Sequence, residues 1–159
     1  MLEILNKLEN SEEFKSWRQA HQDYCLSSCF RIIQDKNKQP WQFHYYNKEK
    51  DKIVTFTISK EITIDPESKI FKKPEDVVEE LEIKNVKIEP NKALKKALKN
   101  DKYKSLEFTK TLLLLQQIQE PIWNLSFFTS TYQILNIKLS AISGKIIHES
   151  FESLLSFKA

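Results

Sequence analysis

Two cysteines, Cys25 and Cys29, stand in a C-x3-C arrangement, and three histidines, His21, His44 and His148, fall in separate segments. Thiolate and imidazole could together do nucleophilic or redox chemistry, or bind zinc, if the fold gathered enough of them. In a regular strand, Cys25 and Cys29 would share one face, about 13 Å apart at the ~3.3 Å rise. A disulfide tolerates a Cα separation of less than about 7 Å, so two free thiols are expected. A zinc site would need His21 and a further ligand brought in. The one thiol–imidazole pairing worth weighing is Cys25 or Cys29 with His44, because no local motif couples a nucleophile to its base. Packed or solvated side chains are the simpler reading. No catalytic residue, metal ligand or cofactor is assigned from the sequence, and the chain is read as a non-enzyme.

Carboxylates cluster at Glu79, Glu80 and Glu82, and at Asp65 with Glu67. They lie in charged segments where hydration is the ordinary fate, and nothing marks an acid–base pair. Lys92, Lys95, Lys96 and Lys99 form one cationic stripe, continued by Lys102 and Lys104. Such a face can neutralise phosphates. Only Arg18 and Arg31 supply the guanidinium that reads phosphate and guanine best, which weakens that use. Trp41 and Trp123 could form an aromatic platform, but their alternation with Phe43 and Leu125 makes them core anchors on strands.

These groups belong to a chain of 159 residues, 40% hydrophobic and 30% charged, enough for one ordinary domain or two small ones. The excess of Lys and Arg over Asp and Glu leaves +3, too near balance to imply nucleic acid by itself. A single glycine excludes phosphate-cradling loops, a dinucleotide fingerprint and a nucleophile elbow together. No stretch approaches the ~20 apolar residues of a membrane span. The N-terminus carries Glu3 where a secretory leader wants a base, so a cytoplasmic location is expected, or export if a leader has been removed.

The elements that position these residues follow from period. Leu2, Leu5 and Leu8 predict a short helix, and Asn10 with Glu13 predicts the capped start of a second over Ser11–Gln22. From Cys25 the period is two: Cys25–Gln34, Trp41–Tyr46, Val54–Ser59 and Ile62–Ile64 predict a β-meander. Pro74–Glu80 reads as a short helix and Ile83–Ile88 as extended. Pro90 opens an amphipathic helix over Asn91–Asn100. Leu106–Gln117 fits either a helix or a buried strand. Pro121 is placed in a turn, followed by strands at Trp123–Phe128, Leu135–Leu139 and Lys145–Ile147, with Ser143-Gly144 the tightest turn.

The two halves resemble each other. Gln34 precedes Trp41, and Gln116 precedes Trp123, by the same seven residues. Trp41-Gln42-Phe43-His44-Tyr45-Tyr46 matches Trp123-Asn124-Leu125-Ser126-Phe127-Phe128 in its apolar alternation. A true repeat would make Leu106–Gln117 a strand by analogy with Cys25–Gln34.

The segment Ile137-Lys138-Leu139-Ser140-Ala141-Ile142-Ser143-Gly144-Lys145-Ile146-Ile147 resembles the closing strand–turn–strand of PepSY-type domains. There an apolar strand runs into an Asp-Ala step, a Thr-Gly turn and a second apolar strand; Ser140 and Ser143 stand here for the Asp and the Thr. Asn91–Leu98 resembles that family's Ala-rich helix. The resemblance covers residues 87–150, with a fainter echo in the first half. It implies a non-catalytic α+β module with a cystatin-like helix-on-sheet layout, in a family associated with protease propeptides and the cell envelope.

The expected fold class is α+β: two tandem helix-plus-antiparallel-meander units, 1–73 and 91–159, with 74–90 as connector, or one continuous domain. The expected function is a peptide- or protein-binding module of PepSY-like type, or a protease-inhibitory one. The alternative is polyanion or nucleic-acid binding through Lys92, Lys95, Lys96 and Lys99. The candidate strand edges for a peptide are Lys52–Ser59 and Lys145–His148.

Overall fold

Helices open the chain because leucines recur at helical spacing and a serine follows them. In the computed structural model, which describes residues 1–157, α1 spans Leu2–Glu9 and buries Leu5 and Leu8. α2 spans Glu12–Ala20 and is capped by Ser11, whose Oγ accepts the Phe14 N–H at 3.2 Å. The expected cap, Asn10, instead closes α1. Its φ of −91° and ψ of −5° are helical, and its amide donates to Asn6 O, so it cannot also take the extended conformation of an N-cap.

The chain then alternates. β1 (Cys25–Gln34), β2 (Asn37–Lys38), β3 (Trp41–Asn47), β4 (Lys52–Ile58), β5 (Ile62–Ile64) and β6 (Ser68–Lys69) form the first set. A 3-10 turn at Ile83–Asn85 and α3 (Pro90–Ala97) follow. β7 (Phe108–Ile118), β8 (Glu120–Thr129), β9 (Gln133–Ser140) and β10 (Ile146–Ser153) form the second set. Leu106–Gln117, ambiguous by period, is thus largely strand.

All ten strands join one antiparallel sheet in the order β10-β9-β8-β7-β1-β3-β4-β5, with β2 beside β1 and β6 beside β4. The two sets meet at its centre, where β1 pairs with β7 from Ser28↔Gln116 to Gln34↔Lys110. Together with the three α-helices of the described residues, this makes the fold mixed α/β, mostly β.

One face of the sheet carries the core. Phe14 of α2 packs on Tyr45 and Phe56, with ring centroids 5.1 and 5.3 Å away. Ala93 and Ala97 of α3 are fully buried, small enough to let that helix lie close to β8 and β9. Trp41 and Trp123 are both buried on this face, their rings 6.3 Å apart. The Trp123 Nε1–H donates to Ile88 O at 2.8 Å, so its one polar atom is satisfied.

Four local expectations are corrected. Pro74–Glu80 is not helical: Val77 is 74% exposed, and without an apolar stripe to bury, a short helix gains too little. The segment instead runs irregularly towards Leu81, whose N–H donates to Leu26 O at 2.8 Å. Ile83–Ile88 is not extended throughout, because it begins with the 3-10 turn. Pro121 lies in β8 opposite Gln117; the reversal occurs at Gln119, with φ of 65°. Pro tolerates this place near a strand's start. Lys52–Ser59 is not an edge, because β5 and β6 pair along β4.

Gly144 takes φ of +79°, the left-handed region that side chains disfavour. A Cβ there would stand 2.7 Å from Cε of Lys96, which lies across the turn. Gly144→Ala is therefore expected to lower stability by about 1–2 kcal/mol, read as a drop in thermal midpoint of several degrees. An unchanged midpoint would show that the turn relaxes freely.

Candidate functional site

Among the described residues, the face opposite the helices carries no α-helix of its own. From β1 it shows Ser28, Phe30 and Ile32; from β7, Leu112, Leu114 and Gln116; these pair directly across the β1–β7 joint. Phe30, Ile32, Leu112 and Leu114 thus form an apolar patch at the sheet's centre, each partly buried by its neighbours. Uncharged polar side chains surround it: Gln42 and His44 on β3, Asn124 and Ser126 on β8, Asn136 on β9. Asn136 Nδ2 donates to Asn124 Oδ1 at 2.8 Å and to Ser126 Oγ at 3.0 Å, which fixes that part of the surface.

One end of this face is walled. After β6 the chain passes from the β3–β4 hairpin across the sheet's end, between anchors at both sides. Glu67 takes the Tyr24 hydroxyl and ion pairs with Lys50 and Lys52 at 3.9 and 3.6 Å. The Tyr24 hydrogen bond holds the Glu67 carboxyl below its ordinary range. Lys72 reaches Asp51 at 3.8 Å, and the Gln119 N–H donates to Glu79 at 3.2 Å. Between strap and sheet lies a cavity of about 600 Å³, lined among others by Ser28, Ile53, Val78, Leu114, Gln116 and Lys138.

The sequence-derived candidates are not assembled into a catalytic group. A β-bulge between Leu26 and Ser28 puts Cys25 opposite Tyr46 and Cys29 opposite Phe43, on opposite faces rather than the shared one expected. Both cysteines are free thiols. Burial pushes both thiols up from their ordinary value, Cys29 the more strongly, so neither is a ready thiolate. His21 is tied at the end of α2, its Nδ1 2.7 Å from Trp17 O and its ring stacked on Trp17. No group of three His, Cys, Asp or Glu able to hold a metal occurs among the described residues.

His44 pairs with a residue that the sequence did not single out. Ser28 Oγ lies 2.7 Å from His44 Nδ1, a distance suited to a nucleophile and its base. Burial drives the imidazole down to about 4, against a weaker opposing pull from Asp65. A base that weak is poorly matched to a serine proton at neutral pH. The thiol–imidazole pair with Cys25 or Cys29 is not formed.

The lysine stripe is divided by its surroundings. Lys92, Lys95 and Lys99 are exposed, whereas Lys96 is partly buried against Gly144. Lys95 and Lys96 complement the helix C-terminus. Lys102 is paired with Glu149 and Lys104 with Asp101, each at 2.6 Å, so the continuation of the stripe is neutralised.

β10 is the long free edge, including the expected Lys145–His148 region from Ile146 onward. The Leu154 N–H bonds to Tyr132 O, so the even-numbered residues of β10 up to His148 turn their backbone groups towards β9. Glu149 and Phe151 turn theirs outward. Ile147 and Phe151 are 58% and 46% exposed, and Lys102, Tyr103 and Leu106 border a notch beside Phe151.

No protein-family model matches this chain, and no curated protein matches it. A crystal structure from Clostridium difficile 630, described as "a putative lipoprotein", is similar in fold. It aligns over 89% of this chain and 91% of that one with a TM-score of 0.59, at 14% identity. Identity that low supports a shared architecture and nothing about activity. No helix among the described residues is long and apolar enough to cross a membrane.

Three features were missed from sequence: Ser28 beside His44, the strap and Lys138. The first depends on strand register. The strap's apolar residues follow no period. Lys138 looks like any solvent-facing lysine on an alternating strand. The one usable signal was the scarcity of charge on the polar side of β7 and β8.

Proposed function

We propose that the protein is a non-catalytic binding module of PepSY-like type, with two tandem helix-plus-meander units sharing one sheet. It takes an extended peptide, or an extended segment of a protein such as a protease, by strand addition at β10. The observation that carries this reading is the free β10 edge, with outward backbone groups at Glu149 and Phe151. Main-chain hydrogen bonds would supply affinity, and the notch beside Phe151 would select one apolar side chain of the added strand. Lys145, just before the strand, and the β-bulge between Ile146 and His148 discourage indiscriminate edge pairing.

Selection of peptides from a displayed random library tests it. Enriched peptides are expected to slow amide exchange at Glu149 and Phe151. Phe151→Pro removes an outward donor without breaking a bond to β9, and is expected to weaken binding at least about tenfold. Peptides that bind without protecting β10, or that ignore Phe151→Pro, would overturn strand addition.

The polyanion reading keeps one supporting observation, the exposure of Lys92, Lys95 and Lys99. Salt-sensitive retention on heparin, lost when all three are changed to Glu, would favour it.

A further inference from the structure

The strap-walled cavity has a chemical asymmetry that strand addition at β10 does not use. Ile53, Ile70, Val78, Leu114 and Ile118 give it an apolar stretch, beside the polar Ser28, Gln116 and Gln117. Four ionisable side chains line it, Lys72, Asp76, Glu79 and Lys138. Three of these are engaged within the protein. Lys72 pairs with Asp51, Asp76 accepts the Lys73 N–H at 3.3 Å, and Glu79 accepts the Gln119 N–H. Lys138 has no ion-pair or hydrogen-bond partner among the described residues. Its cross-strand neighbours are Asn124 and His148, neither of them an acid.

The cavity is also long. Ile53 lies on β4 and Lys138 on β9, with β3, β1, β7 and β8 between them. At ~4.8 Å per strand, the backbones of β4 and β9 that bear its two ends stand roughly 24 Å apart. Its volume of about 600 Å³ falls in the range of small-molecule sites. An elongated shape, an apolar stretch of wall and one cation without a partner at the β9 end define a ligand of matching polarity.

We infer that this groove binds a free single-chain amphiphile with an anionic head, such as an alkyl carboxylate. The tail lies along Leu114 and Val78 towards Ile53, and the carboxylate meets Lys138. Ser28 and Gln116 line the groove and offer hydrogen bonds where the tail is not in contact. This site is separate from the β10 edge, so its occupancy neither requires nor excludes a bound peptide.

The test is calorimetric titration of the full chain with dodecanoate, kept below the concentration at which it forms micelles. One saturable site per chain is expected. Lys138→Met keeps the alkyl stem and removes the charge, and is expected to weaken binding about tenfold or more. Val78→Asp, on the strap and outside the sheet, is expected to weaken it comparably without touching the core. Dodecyltrimethylammonium, with the same tail and opposite charge, is expected to bind at least about tenfold more weakly, by charge repulsion at Lys138. Amide shifts on dodecanoate addition should centre on Ser28, Leu114, Gln116 and Lys138. Absence of saturable binding would overturn the inference, as would equal binding of the cationic amphiphile or indifference to Lys138→Met. Co-sedimentation with phosphatidylglycerol vesicles in the absence of monomer binding would overturn it in favour of a membrane surface.

Discussion

Replacing Trp123 by alanine is expected to cost about 3–5 kcal/mol of folding stability, the largest loss of any single substitution considered. The indole is wholly buried, touches Trp41 and spends its only donor on Ile88 O. Alanine would leave a cavity where the two strand sets meet the helical layer, and an unpartnered carbonyl in the segment leading to α3. Trp123→Phe separates these terms. It keeps most of the packing, and its expected cost of about 1–2 kcal/mol reflects the lost hydrogen bond and a smaller void. Urea unfolding of both variants beside the parent measures the difference. A loss below about 1 kcal/mol for the alanine variant would show that the two indoles do not anchor this core.

A second large effect is expected from pH. His44 is held near 4 in the folded protein by burial, whereas in the unfolded chain its imidazole titrates near 6.5. Between those values the unfolded state binds the extra proton, so stability rises with pH across that window. Above about 6.5 the full stability is present. As pH falls towards 4 it is lost, by about 2–3 kcal/mol once some allowance is made for partial solvent access. His44→Gln keeps a polar partner for Ser28 and removes the titration. Its urea midpoint is expected to stay level between pH 6.5 and 4.5, while that of the parent falls. Glu67 contributes in a lower window, because its depressed carboxyl loses its stabilising partners only on protonation below the usual carboxylate range. A parent midpoint that is flat from pH 7 to 4.5 would contradict the burial of His44.

The strands were legible because one face of the sheet is packed and the other is not. Trp41, Phe43 and Tyr45, like Leu135, Ile137 and Leu139, are buried at every second position with half-buried residues between them. β7 was ambiguous for a reason visible in its surroundings. It is the sheet's inner strand beside β1, and Leu112 and Leu114 add apolar residues on the open face to Leu113 and Leu115 on the packed one. Period cannot separate such a run from a helix; its two strand partners decide it.

The rest depended on contacts between distant residues. β5 was legible as Ile62–Ile64, but its pairing on β4 was not, and β6, two residues long, carries no readable alternation; together they cover β4 and leave β10 as the long free edge. The bulge at Leu26–Ser28 sends Cys25 and Cys29 to opposite faces and sets Ser28 against His44, a consequence of register that spacing along one strand does not contain. Pro74 and the acids after it satisfied the rules for a helix start, but helices in proteins are held mainly by a buried apolar stripe, and Val77 and Val78 do not make one.

The joint between β1 and β7 also governs when this chain can become itself. Ser28 pairs with Gln116 and Gln34 with Lys110, so the sheet's central seam closes only after residues 110–116 have left the ribosome. Until then β1 is a bare border with β3 already available on its other side. Contacts this far apart in sequence form slowly, because a long loop must be ordered before they repay it. The stretch from Asp65 to Glu89, which holds only β6 and one 3-10 turn, is long enough to let the second strand set reach a first set from another copy when chains are crowded. Exchange of halves between two nascent chains would reproduce the β1–β7 pairing, so dilution during refolding favours molecules paired with themselves.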